Sequence, residues 1–269
     1  MTFRADLHCH STCSDGSLTP NELVDLAIKK GLQGLSITDH DAFDAYPEVL
    51  NYATQNGLKM VTGVEFSASL NGKSVHILGY GFDPQNKELK AFSGRHRDRR
   101  IARNRELLEK LLKEGIPLDE NELYASASSR MIGRPHIALL MVKHGFVKDV
   151  RTAFKKYLGD GAKCYVPGPQ FTIEETLDHL RRAGGKPVLA HPHLYDGKKF
   201  VKKILDKGFW GMECNYGSLT IPQNAPWHSL AAELGLHKTA GSDYHGPYKT
   251  NAELGASFVS EEVFTLLST

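Results

Sequence analysis

The stretch "DLHCHSTCSDG", residues 6–16, sets His8 and His10 one residue apart and follows them with Asp15. Similar groups recur along the chain: Asp39 and His40 in "SITDHD", Glu65 in "GVEFSA", His76 in "SVHILGYGF", His191 in "AHP", and Asp243 and His245 in "GSDYH". Imidazoles and carboxylates brought to one place repel one another or waste hydrogen bonds unless cations neutralise them. The chemistry these residue types point to is therefore binding of divalent metal. A nitrogen and oxygen set without sulfur suits Mn²⁺, Fe²⁺ or Zn²⁺ and disfavours a closed structural zinc cage. Cys9 and Cys13 do not change this. In an extended segment over 3–10, the period-two alternation sends His8 and His10 to one face and Cys9 to the other, into the core. Cys13 lies in the following loop within reach of a metal, but no CxxC pair is present to complete a thiolate site.

Side chains so far apart in sequence need a frame that brings them together. Phe3–Leu7 reads as a strand, and Thr19-Pro20-Asn21-Glu22 as an N-cap, a proline at the first helical position and a capping box. "GLSITDH" reads as a second strand, 46–55 as a helix stopped at Asn56-Gly57, "KMVTGVEFSASL" as a third strand and "SVHILGYGF" as a fourth. Asn71-Gly72 predicts a hairpin between the last two. From 87 to 159 the rhythm changes to helical windows: 88–114, 119–125, 135–144 and 150–158. The β/α alternation then resumes with "PVLAH", "WGMECN", "HKTAGSDYH" and "ELGASFV". The expected fold is α/β: a distorted, largely parallel (β/α)7 barrel built from 1–86 and 160–269, with a helical insertion, or cap, over 87–159. Such a barrel carries its functional residues where strands end and loops begin. The candidate ligands fall at those places.

Composition sets limits on the rest. A chain of 269 residues with 41% hydrophobic residues can bury a substantial core. Thirty-three basic against 31 acidic residues leave a formal charge of +2, too small to demand nucleic acid or an anionic membrane, so any polyanion site is local. No run approaches the roughly 20 apolar residues that span a bilayer. Four cysteines are too sparse for a disulfide framework. A cytoplasmic protein is expected, without a membrane or an obligate protein partner. "RHRDRRIARNR", Arg95–Arg105, reads as a solvated helix face, with contact to RNA as the alternative. In "GRPH", Arg134 precedes Pro135 and so sits at a helix start, where a guanidinium and free N–H groups both suit an anion.

In order and spacing, "DLHCHSTCSDG", "SITDHD", "GVEFSA", "HILGYGF", "AHP" and "GSDYH" resemble the motifs of the PHP (polymerase and histidinol phosphatase) metallophosphoesterases. The resemblance covers nearly the whole chain. It is closest to small stand-alone members that act as nucleotide phosphatases, some as exonucleases on short RNA. It implies two to three divalent ions. His8, His10, Glu65 and Asp243 would hold one. Glu65, bridging, would hold a second with His76 and His191. Asp15, His40 and His245 would hold a third. It also implies that Asp39 orients a neighbour, and that Arg134 and His136 lie beside the substrate phosphate. One departure stands out: after "AHP" many relatives carry Gly-Arg, whereas this chain has His193-Leu194, so that phosphate contact falls to His193 or is absent.

The function the resemblance implies is metal-dependent hydrolysis of nucleotide phosphomonoesters, the 3′-phosphate of nucleoside 3′,5′-bisphosphates in particular, extending to 5′–3′ exonuclease action on short RNA or DNA. Catalysis and substrate contact would involve Arg134, His136 and His193. The alternatives are a histidinol-phosphate-like small-molecule phosphatase or an amidohydrolase-type metallohydrolase, the latter marked by a carboxylated lysine and no Glu bridge. A nucleic-acid-binding module should be far more basic, and a structural metal protein should have a sulfur-rich site.

Overall fold

The computed structural model of the chain describes residues 2–126, 131–168, 171–248 and 252–268. Local chemistry starts the first helix where the side chains allow it. Ahead of α1 (Pro20–Lys29), Thr19 Oγ1 accepts the Glu22 N–H at 3.3 Å, while the Glu22 carboxylate accepts the Thr19 N–H at 2.8 Å. Pro20 takes the first helical position, where no N–H is needed.

Three two-residue strands, β1 (Ala5–Asp6), β2 (Gly34–Leu35) and β3 (Lys59–Met60), form a parallel sheet, with α2 (Tyr46–Gln55) between the last two. A second sheet holds β4 (Gly63–Leu70), β5 (Lys73–Tyr80), β6 (Lys186–Leu189), β7 (Gly211–Tyr216) and β8 (His237–Gly241) in sequence order. Asn71 and Gly72, at φ 52° and 77°, make the two-residue turn that sets Leu70 opposite Lys73. Its left-handed residues match the twist of the flanking strands.

Three expectations are corrected here. The single strand over 59–70 is two strands, because the chain changes sheets at 61–62. At Gly63 a Cβ would lie 2.1 Å from Ser36 Oγ, so only glycine lets the strands approach at the crossing. Four of the six strand pairs are parallel and β4–β5 is antiparallel as its hairpin predicts, but β5–β6 is antiparallel against expectation. "ELGASFV" makes no ladder, only one antiparallel bridge from Val259 to Ala5. The observed architecture is an α/β fold with two sheets. Their edges meet through loop hydrogen bonds: Asp41 N–H to Glu65 O at 2.9 Å on one side, and His10 N–H to Tyr244 O at 2.8 Å on the other.

Between β5 and β6 run α3 (Lys87–Lys113), α4 (Glu120–Ser126), α5 (Arg134–Lys143) and α6 (Val150–Ala153), the last continuing as a wider turn over Phe154–Leu158. The buried stripe of α3 explains how this segment sits. Leu89 and Phe92 pack into the main core, while Leu107, Leu108 and Leu111 pack into a second apolar cluster that extends to Cys164 and Val166. Between them the same stripe is polar: His96, Arg100, Arg103 and Asn104 are all buried. Four further helices, α7 (Ile173–Arg182), α8 (Gly197–Leu205), α9 (Ile221–Glu233) and α10 (Glu261–Ser268), cover the second half. Among the described residues no helix is long and apolar enough to cross a membrane.

Candidate metal centre

The end of β1 delivers His8 and His10 to the same face, while Cys9 turns away and donates to Ser36 O at 3.3 Å from full burial. All four cysteines are thiols, and among the described residues no cysteine joins a group able to share an ion. His8 can approach because β8 ends in Gly241, where a Cβ would lie 2.2 Å from that of His8. Glu65 projects from β4 with its carboxylate 1% exposed. Five imidazoles ring it. Oε2 lies 3.4 Å from His8 Nε2, 3.2 Å from His10 Nε2 and 3.0 Å from His40 Nδ1, and Oε1 lies 2.8 Å from His76 Nδ1 and 2.9 Å from His191 Nε2.

Two further carboxylates extend the cluster. Asp243 Oδ1 lies 3.3–3.4 Å from nitrogens of His8, His10 and His245, and Asp15 lies 3.4 Å from His245 Nε2 and 3.8 Å from His40 Nε2. Donor atoms close enough to share one ion fall into three groups: His8, His10, Glu65 and Asp243; His40, Glu65 and His76; and His10, Asp15, His40 and His245. Glu65 belongs to the first two, and His191 reaches the same Glu65 oxygen as His76.

The chain's own atoms leave these groups unsatisfied. Among the described residues, His8 Nε2, His10 Nε2, His40 Nδ1, Asp15 Oδ1 and Glu65 Oε2 are buried without a hydrogen-bond partner, although they lie near one another. Each such atom carries a desolvation cost that a cation among them would remove. Protonation cannot replace the cation throughout. Burial works against charge on both His10 and His40; at His10 the Asp243 and Glu65 carboxylates outweigh it and lift the pKa to about 9, while His40 is pushed down to about 4. The donor set therefore fits divalent metal.

Other groups fix the ligands. Glu213 Oε1 lies 3.0 Å from His8 Nδ1, which directs His8 Nε2 toward Glu65 and Asp243, and Glu213 Oε2 accepts the His191 N–H at 2.8 Å. His191 and Asp243 hold left-handed backbone, φ 29° and 54°, a strain that tight loops at functional sites support. Asp39 accepts from Ser11 N–H at 2.8 Å, Ser11 Oγ at 2.6 Å and Ser14 Oγ at 2.5 Å, pinning the loop that carries Asp15. Buried Asp6 ties the His8, Ser242 and Gly255 N–H groups together, and burial raises its pKa to about 6.

Asp15, His40 and His76 line one cleft together with Arg100, Arg103 and Arg134. Arg100 is neutralised: it donates to Asp41 Oδ2 from Nε at 2.7 Å and Nη2 at 2.5 Å. Arg134 Nη1 donates to Leu158 O and Asp160 Oδ1, both at 3.2 Å. Arg103 differs. It is 4% exposed, and among the described residues its Nε has no hydrogen-bond partner and its Nη2 reaches Asn104 Oδ1 at 3.5 Å.

The PHP domain family model matches residues 6–159, more than half of the chain. The chain belongs to the PHP domain family. It is 36% identical over 252 residues to a 5′-3′ exoribonuclease of Haemophilus influenzae, covering 92% of each chain. It is 35% identical over 256 residues to a 3′,5′-nucleoside bisphosphate phosphatase of Chromobacterium violaceum, covering 93% of this chain and 90% of that one. A solved structure from Bifidobacterium adolescentis, assigned as a metal-dependent phosphoesterase, superposes with a TM-score of 0.88 at 30% identity over 98% of this chain and 94% of that one.

Within this PHP site the nine residues singled out as ligands converge, eight of them in groups able to share an ion and His191 on the Glu65 carboxylate. Of the residues singled out for substrate, Arg134 opens α5 and lines the cleft. His136 turns its Nδ1 to the Gly133 N–H at 3.1 Å, and burial lowers its pKa. His193 lies on the turn after His191 with its ring 4.4 Å from that of Tyr216, whose hydroxyl donates to Asp243 Oδ2 at 2.6 Å. Sequence reasoning missed Glu213, a lone acid inside the apolar β7, and Asp6, a lone acid in β1. It also read Arg95–Arg105 as a solvated face. Arg100 and Arg103 are instead buried over the site, and their i, i+3 spacing, continuous with His96, was the available signal.

Proposed function

We propose that this PHP phosphoesterase removes the 3′-phosphate from nucleoside 3′,5′-bisphosphates and works from the 5′ end on short oligonucleotides, using two or three divalent ions. Its metal-dependent hydrolase chemistry follows from the family. The substrate is proposed by likeness to relatives named for a bisphosphate and for RNA. The observation that carries it is Arg103, a buried cation that forms no ion pair of its own among the described residues, in the cleft that the candidate metal ligands line. A substrate with two phosphates supplies a counter-ion. A single phosphate at the metals does not.

In this reading His8, His10, Glu65 and Asp243 hold one ion, Glu65, His76 and His191 a second, and Asp15, His40 and His245 a third. Bound there, divalent ions activate water and neutralise phosphoryl oxygens as charge builds up. The chain's own groups orient and exclude. Glu213 fixes the His8 tautomer, Asp39 pins the Asp15 loop, and Arg103 with Arg134 aligns the remote phosphate so that its binding energy positions the reacting one. His136 and His193 are placed at the substrate's edge, His193 as a proton donor to the leaving oxygen. The segment 87–159 serves as a cap over 1–86 and 160–269, whose two sheets act as one distorted (β/α)7 barrel; the loop hydrogen bonds between the sheets support this.

The test is phosphate release from bisphosphates, mononucleotides, short RNAs and sugar phosphates in the presence of Mn²⁺, Fe²⁺, Zn²⁺ or Mg²⁺. Preferential 3′-dephosphorylation of the bisphosphate supports the reading. A sugar phosphate or amino-alcohol phosphate turned over faster than any nucleotide overturns it.

A further inference from the structure

The cleft is also lined by the rings of Phe154 and Tyr165, both half-buried, and the Arg134 guanidinium lies over them, 5.9 Å and 5.7 Å from the ring centres. Both rings are anchored by the second apolar cluster: Tyr165 lies between Cys164 and Val166, which are buried in it, and Phe154 packs against it. The Tyr165 carbonyl also accepts from Lys110 Nζ at 2.9 Å. Phe154 begins the wide turn at the end of α6, closed by the Gly159 N–H to Phe154 O bond at 2.8 Å. A turn of this i→i+5 type is rare, disturbs helix geometry and recurs at functional sites.

Phosphates and metals have no use for two aromatic plates. A flat heteroaromatic group does, because stacking on a ring is tolerant of base identity and is reinforced by a neighbouring guanidinium. We propose that Phe154 and Tyr165 form the nucleobase subsite of this cleft, an inference that rests on the nucleotide reading above. The base then lies against the cap, the remote phosphate at Arg103 and the reacting phosphate at the metals. Selection of nucleotides over bare sugar phosphates comes from the aromatic wall.

Binding of a reaction product tests this without turnover. The metal-loaded protein is titrated calorimetrically with adenosine 5′-monophosphate and with 1-O-methylribose 5-phosphate, which has the same phosphate and no base. The nucleotide is expected to bind at least about ten-fold more tightly, in line with stacking on one or two rings. Phe154→Leu and Tyr165→Leu should each remove most of that ratio, whereas Tyr165→Phe, which keeps the ring, should preserve it. Equal affinity for the two ligands in the unaltered protein, or equal losses for both ligands in the leucine variants, overturns the proposal. Because the readout is a ratio of two affinities in one preparation, partial misfolding does not imitate it. A failure of phosphate release in the substrate screen is a separate result.

Discussion

Replacing Arg103 by methionine separates function from stability. The side chains are close in length, but the variant removes a cation that is 4% exposed and, among the described residues, makes no ion pair and leaves Nε unbonded. Burial, helped by the nearby Arg100 and Arg134 guanidiniums, lowers its pKa to about 9, so the group is charged at neutral pH and costs the ligand-free fold free energy. Removing it should leave the thermal midpoint unchanged or higher, by analogy with buried ionic groups whose apolar replacement gains about 1–4 kcal/mol. A phosphate at Arg103 gains charge-assisted hydrogen bonds of about 1.5–3 kcal/mol, so kcat/KM for a 3′,5′-bisphosphate should fall by roughly ten- to 150-fold. A 3′-monophosphate should lose far less. The sign with pH follows from the depressed pKa. Above about pH 9 the folded state binds fewer protons than the unfolded, so stability in the unaltered protein gains as pH rises toward the ordinary arginine range, and the methionine variant loses that gain. Bisphosphate affinity should weaken over the same range. Steady-state kinetics on the two substrates and ligand-free melts from pH 7 to 10 make the comparison. A variant that melts lower and loses kcat/KM equally on both substrates would falsify the anion role and make Arg103 structural.

Glu65→Gln should be the most damaging single change at the centre, since one carboxylate faces five imidazoles; unaltered metal content and turnover would reject the bridge. Glu213→Gln keeps the shape but weakens the hold on His8 and His191, so metal affinity should drop about 10–100-fold with little loss of fold, measured by competition with a chelator. No change there would show that the carboxylate does not orient the ligands. The double change Cys9→Ser and Cys13→Ser should keep the metal content, with a lower thermal midpoint because Cys9 is fully buried; loss of a metal on altering Cys13 alone would bring sulfur into the site.

The sequence made the metal centre more legible than the frame. Strand-end positions such as His8, His40 and His191 stand out because paired imidazoles and acids have few uses other than binding a cation. Helix starts were equally plain: the Thr19 and Glu22 capping box forms as read. Strand boundaries were not, because β1, β2 and β3 pair over two residues each and loop hydrogen bonds take over, as where Asp41 N–H reaches Glu65 O. The antiparallel β5–β6 pair was hidden because the connection between them is the long helical segment, which by length alone suits a parallel crossover as well. Orienting groups were the hardest to see. Glu213 and Asp6 look like ordinary single acids until folding buries them against His8. The basic run of α3 misled because charge on a helix is usually solvated, whereas Arg100 is held by Asp41 and Arg103 faces the cleft.

The proposal that these nine side chains hold catalytic divalent metal is tested by loading. Purified protein should be stripped with a chelator, titrated with Mn²⁺, Fe²⁺ or Zn²⁺, and assayed by elemental analysis and bisphosphate turnover on the same samples. Two to three ions per chain are expected at saturation, with turnover rising as they bind. Fewer than about one ion per chain after reconstitution, or full turnover in the stripped protein, would contradict the proposal.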